Sequence, residues 1–240
     1  MKQLFFILAV AYFGNALAVQ TSPLRICKGD KDFSPYTNLS GTGEWQILMQ
    51  KLAKESGVEI KFHEVPRKRC IVEVKNNDES DAIFIEPNED VKDKISFPKN
   101  RSGEIDRKAK ITTLNYVILK NKNSLLEWDG KNFIHLDKKL IGIRRGRGKI
   151  QEMLSKLSVT VEETETSEQS LEKLKLKRIE AIIIEKDQIE ELKRKMDISN
   201  LMQLPLSFSN YDVYLGVSTP YYLKNKEMID QLWNKFRKLN

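Results

Sequence analysis

The chain has 240 residues, enough for one large or two small domains, and 40% of them are hydrophobic. Its 41 lysines and arginines outnumber 34 aspartates and glutamates, for a formal charge of +7, but the signs are interleaved, as in EKDQIEELKRKMD. Nucleic-acid binders concentrate basic charge and interleave exposed aromatics; this pattern is instead that of solvated helix faces, so no nucleic-acid partner is expected.

Residues 1–20 read MKQLFFILAVAYFGNALAVQ. Lys2 precedes an apolar run from Leu4 to Phe13, and Ala16-Leu17-Ala18 supplies a small-x-small cleavage pattern. The run is shorter than the ~20 apolar residues that span a bilayer, and no cysteine sits near the cut. A cleaved leader over 1–18 is expected, with the mature protein starting at Val19 and located in the periplasm.

The elements that follow alternate. LRICKG (24–29) reads as a strand. GEWQILMQKLAKESG (43–57) places Trp45, Leu48, Met49 and Leu52 on one helical face and stops at Gly57. VEIKFHEV (58–65) reads as a strand, PRKRCIVEVKNN (66–77) as a helix with proline in its first turn, and DAIFI (81–85) as a short buried strand. KITTLNYVILKN (110–121) is extended. The order then restarts, with a strand at 140–144, a helix at 149–157, a strand at 158–163, a helix capped by Thr166 and Gln169, a strand at 180–184 and a helix at 187–196. FSNYDVYLGVS (208–218) is extended again. The last helix carries Met228, Leu232 and Phe236 on one face and is expected to pack on the first lobe. Alternating strands and helices specify an α/β fold with mostly parallel sheets. DAIFIE (81–86) and EAIIIE (180–185) occupy matching places in the two runs, which points to two similar lobes.

Export also changes how the cysteines read. Cys27 and Cys70 are the chain's two cysteines, and in an oxidising compartment an isolated pair is expected to form a disulfide; two buried thiols are the alternative. Neither histidine has ligand spacing around it, so no metal site is expected, and nothing calls for a cofactor. LIGIRRGRGKIQEML (140–154) sets arginines around two glycines between a strand and a helix. It fits a nucleic-acid patch, a phosphate loop or the wall of a small-molecule cleft. The G-x-x-x-x-G-K-[ST] spacing of a nucleotide loop is missing.

The order of LRICKGDKDFSPY, GTGEWQILMQKLAKESGVEIKF, DAIFIE, ISFP, LIGIRRGRG and RIEAIIIEKD resembles the bacterial extracellular solute-binding proteins of family 3. These are periplasmic receptors, mostly for polar amino acids, that serve ABC importers. The resemblance runs over nearly all of the mature chain. It implies a type II periplasmic-binding-protein-like fold, with lobe 1 from 19–113 plus 212–240 and lobe 2 from 114–211. Two extended crossings, near 110–117 and 208–214, would form the hinge. Ligands of open parallel sheets sit beyond the carboxyl ends of the strands, so the loops after Gly29, Ile85, Arg144 and Ile184 should line the cleft.

By position, Asp30, Phe33 and Tyr36 match the first-lobe ligand loop. Trp45 lies at the start of the first helix, and Glu86 ends the first-lobe cleft strand. Arg147 stands at the cleft wall. Arg144 and Arg145 should point opposite ways, because strand side chains alternate. Glu185 matches the acid that holds the ligand ammonium in amino-acid receptors. One departure matters: the receptors' carboxylate-binding arginine, six residues before the phenylalanine of the FS segment, is here Val91. Arg69 or Arg147 would supply that charge. The expected partners are therefore a small polar ligand, amino-acid-like or a polyamine-like cation, and an ABC permease, with the protein itself a monomer. The rival readings are a dehydratase-like enzyme using Glu86 or Glu185 as general acid or base, and a periplasmic ligand sensor. No Ser-His-Asp or Cys-His constellation supports an enzyme.

Overall fold

The computed structural model describes residues 22–137 and 140–239; the leader reading of 1–18 and the cut before Val19 lie outside them. In chain order the elements are β1 (Leu24–Lys28), α1 (Glu44–Glu55), β2 (Ile60–Glu64), α2 (Arg67–Asn76), β3 (Ala82–Ile85), β4 (Ile95–Ser96) and β5 (Thr112–Asn121). Then come β6 (Glu127–Trp128), β7 (Phe133–Ile134), β8 (Leu140–Arg144), α3 (Gly148–Ser155), β9 (Thr160–Thr164), α4 (Ser167–Lys175) and β10 (Ala181–Glu185). The chain closes with α5 (Gln188–Lys195), β11 (Leu201–Gln203), β12 (Ser209–Ser218), α6 (Thr219–Lys224) and α7 (Lys226–Leu239).

Helix α1 shows why these segments fold as they do. Glu44 lies in its first turn and Lys54 in its last, each complementing the helix dipole. Trp45, Met49, Leu52 and Ala53 are buried at helical spacing. In α4 the Thr166 side chain accepts from the Gln169 amide, as the capping pattern predicts. The last helix buries Ile229, Leu232, Trp233 and Phe236. Trp233 Nε1 donates to the Leu215 carbonyl at 3.0 Å, and Lys235 pairs with Glu55 of α1.

The strands run in the order β2-β1-β3-β12-β5-β10-β8-β9. β2, β1 and β3 are mutually parallel, as are β10, β8 and β9. Between these parallel blocks lie two long antiparallel strands. β12 pairs with β5 through Ser209–Val213 and with β3 through Tyr214–Val217. β5 likewise pairs with β12 through Thr112–Tyr116 and with β10 through Tyr116–Lys120. Each strand thus changes partner halfway along, and together they join the two blocks. The carboxyl ends of β1, β3, β8 and β10 bring Lys28, Ile85, Arg144 and Glu185 toward this changeover, which is where a ligand site belongs in such sheets.

Cys27 on β1 and Cys70 on α2 form a disulfide. Both are fully buried in a cluster with Val74, Ile83, Ile85, Val91 and Ile95. Val91 therefore fills the core beside the disulfide, and no charge could stand in its place without being desolvated. No helix among the described residues is long and apolar enough to cross a membrane.

The disulfide joins residues 43 apart in sequence, and closing a loop of that size stabilises by about 4 kcal/mol on the chain-entropy account. Replacing both cysteines with serine should lower the unfolding free energy by roughly that amount in a urea melt. Coincident melts of the parent and the double variant would show that the bridge does not constrain the unfolded chain.

Candidate functional site

A cleft of about 360 Å³ opens between the two parallel blocks, within the range of small-molecule sites. One side is built from the β1 end and the loop beyond it, with Lys28, Asp30, Lys31 and Phe33, and from Trp45 of α1 and Arg67 and Lys68 of α2. Phe84 and Glu86 come from the end of β3. The opposite side is the β8–α3 turn with Arg144, Arg145 and Arg147, together with Glu165. Leu114 of β5 and Val213 of β12 form part of the lining where these strands change partner. Basic lining side chains outnumber acidic ones.

Three arginines converge here. Arg147 donates from Nε to Glu185 at 2.6 Å, with the two side chains 10% and 2% exposed. Its guanidinium also lies over the Phe33 ring, 4.2 Å from the centroid, a favourable place for a cation. Arg144 lies over the same ring at 5.5 Å. Arg67 donates from Nη2 to the Phe84 carbonyl at 2.7 Å. Burial pulls the pKa of Arg67 down to about 10, opposed by Glu86 and reinforced by Arg147. Burial and then Arg147 pull Arg144 down to about 10 as well. Burial also acts to lower Arg147, but Glu185, Tyr116 and Glu86 outweigh it and hold it above the ordinary arginine value. All three stay charged at neutral pH.

Gly146 makes this packing feasible. It sits at φ +82, and a Cβ there would lie 2.7 Å from Arg67 Cγ. Only glycine both adopts that backbone and leaves the room. Gly148 opens α3 without any such demand.

The donor inventory is lopsided. Arg67 Nε, Arg147 Nη2 and Trp45 Nε1 are buried and have no acceptor among the described residues. Of the acids nearby, most are already in contact with a donor, Asp30 apart. Glu185 is held by Arg147, Glu165 by Arg145, and Glu86 accepts from the Tyr116 hydroxyl at 3.4 Å. An unpaired buried donor costs about 1–3 kcal/mol, a cost that an acceptor entering the cleft would relieve.

Further contacts tie the two sides together. The Tyr36 hydroxyl donates to Asp187 at 2.6 Å, and Gln188 Nε2 donates to the Ser34 carbonyl at 3.3 Å. Lys68 of α2 reaches Glu163 of β9 at 3.4 Å. Burial first, then the Asp187 bond, pushes the Tyr36 pKa above the ordinary tyrosine value.

No family model matches the chain, and no curated protein matches it in sequence. Solved structures do. Arginine-bound ArgBP from T. maritima aligns with a TM-score of 0.67 at 18% identity, covering 90% of this chain and 95% of that one. The substrate-binding protein of an amino acid ABC transporter aligns with a TM-score of 0.65 at 17% identity, over 90% of this chain and 92% of that one. The GluR0 ligand-binding core from Nostoc punctiforme, in complex with L-glutamate, gives a TM-score of 0.67 at 14% identity, over 90% and 96%. The chain has the type II periplasmic-binding-protein fold.

Within that fold, the predicted site residues separate into two groups. Asp30, Phe33, Trp45, Glu86, Arg144 and Arg147 line the cleft together. Tyr36, Arg69 and Glu185 do not. Tyr36 is 3% exposed, stacked on Trp45 at 4.6 Å and bonded to Asp187. Arg69 points away and pairs with Glu73 at 2.8 Å. Arg67, two residues earlier, takes the place expected of it, because two residues turn a helix by ~200° and so face opposite ways. Proline in the first turn marks where α2 begins, and that register was the sequence signal for Arg67. Glu185 is covered by Arg147, and the loop after Ile184, expected to line the cleft, contributes no lining residue. Arg145, expected on the opposite side from Arg144, also reaches the cleft: Arg144 ends β8, so strand alternation no longer governs the residue after it.

Glu185→Gln should therefore reduce stability rather than only affinity. It leaves Arg147 buried without its counter-charge, a change that costs roughly 3–5 kcal/mol. A urea melt that shifts by less than about 1 kcal/mol would show that the pair is not structurally needed.

Proposed function

We propose that the protein is a periplasmic solute-binding protein that captures a small polar ligand bearing an anionic group and presents it to an ABC importer. The observation that carries this reading is the set of unpartnered donors from Arg67, Arg147 and Trp45 around one cleft. A guanidinium pairs with carboxylate or phosphate oxygens through short, charge-assisted bonds, so one anionic group meets several of these donors at once. The fold supports the same reading, since the neighbours include a protein named as the substrate-binding component of an amino acid ABC transporter.

The proposed mechanism is closure of two lobes, 19–113 plus 212–240 against 114–211, about the crossings in β5 and β12. Ligand contacts would then come from Asp30, Phe33, Trp45, Arg67 and Glu86 on one side and Arg144 and Arg147 on the other. Tyr36–Asp187 and Ser34–Gln188 bridge the sides and favour the closed form. A ligand shifts such an equilibrium only through its differential affinity for the two forms, and a solute touching both walls has that property. A polyamine-like cation fits poorly among the arginines. The enzyme reading loses one of its candidate acids, because Glu185 is held by Arg147.

The test is mass spectrometry of solutes that co-purify with the protein, followed by thermal melts and small-angle scattering with the recovered compound. At 100 times its dissociation constant a ligand adds about 2.7 kcal/mol of stability, and the radius of gyration should fall on binding. An unchanged radius with a verified ligand would remove the closure mechanism, and no stabilisation by any recovered solute would remove the binding-protein reading.

A further inference from the structure

We infer that the ligand is a small organic acid without an ammonium group, its carboxylate held by Arg67 and Arg147. This rests on the solute-binding reading and narrows it. An ammonium buried in a protein requires carboxylate or carbonyl oxygens that are free to accept from it. Most of the cleft's supply of such oxygens is committed. Glu185, the buried acid of the second wall, spends its charge on Arg147 at 2.6 Å and is 1% exposed. Glu165 is bound by Arg145, and Glu86, beside the Arg67 charge, has one long contact from the Tyr116 hydroxyl at 3.4 Å. Asp30 remains, but it is only half-buried and its chain neighbour Lys31 also lines the cleft.

The donors show the reverse. Arg67 Nε and Arg147 Nη2 are buried without acceptors, and Arg144 has no carboxylate within ion-pair distance among the described residues. Desolvated charge of one sign is thus in excess, and it is positive. An amino acid would bring a second cation into that excess and lose the hydration of its ammonium, with only the half-buried Asp30 and the Glu86 oxygens beside Arg67 to replace it. The corresponding oxo or deamino acid avoids both costs. The rest of the lining suits such a compound: Phe84, Leu114, Val213 and the Trp45 ring offer an apolar surface for its body.

Matched pairs make the test. Calorimetric titration would compare phenylpyruvate with phenylalanine and 2-oxoglutarate with glutamate, alongside arginine and putrescine as cations. At least one oxo acid should bind 10-fold or more tightly than its amino acid, and Arg67→Gln should weaken that acid at least 10-fold while the protein keeps its circular dichroism spectrum. If Arg67→Gln fails to fold, Arg67→Lys, which keeps the charge but removes the planar fork of donors, should weaken that acid at least 10-fold instead. An amino acid that equals or beats its oxo partner, or a cation that binds best, overturns the inference while leaving the solute-binding reading intact. If neither the panel nor any co-purifying solute binds, both fall.

Discussion

The Arg147–Glu185 pair is the interaction around which the cleft is arranged. Glu185 ends β10, a strand buried along its whole length. A lone carboxylate there would cost several kcal/mol. Arg147 removes that cost, and in doing so it fixes the turn between β8 and α3. The turn needs Gly146 at positive φ, and the space left by the missing Cβ is filled by Arg67 from the opposite wall. Phe33 then stacks beneath the guanidinium of Arg147. One ion pair thus determines where three arginines lie and which of their donors remain unpaired. Buried pairs of this kind are weak sources of net stability but expensive to break. Their value here is positional.

The second constraint is the β5–β12 crossing. Each strand pairs with one parallel block over half its length and with its antiparallel partner over the other half. Leu114 and Val213 lie at this changeover and line the cleft. The strands that connect the two blocks therefore form part of the cleft. In the proposed mechanism, movement of one block against the other would be felt directly by a solute held there, and no separate coupling pathway is needed.

Much of the fold was legible in the sequence because the elements obey simple periodicities. The buried faces of α1 and α7, the Thr166 cap and the short apolar strands β3 and β10 follow from local pattern. The paired runs DAIFIE and EAIIIE both form buried strands, but of the two only DAIFIE supplies cleft lining. The site was only partly legible. Asp30, Phe33, Glu86, Arg144 and Arg147 could be placed at the cleft because they lie at or just beyond strand ends. Arg67 was missed in favour of Arg69, since helix register decides between residues two apart and the sequence stretch contains both. Glu185 was placed at the cleft strand's end, but nothing local reveals that an arginine 38 residues earlier covers it. Which of several nearby charges pair is settled by three-dimensional packing, and charge type alone does not encode it.

The central claim is that the uncommitted guanidinium donors exist to meet an anionic ligand. A crystal structure of the protein with its co-purified solute tests it most directly. The account predicts ligand oxygens at about 2.7–3.2 Å from Arg67 Nε and Arg147 Nη2, with Glu185 still paired to Arg147. A solute whose cationic group displaces Arg147 from Glu185, or one bound with both donors still unmet, would contradict it.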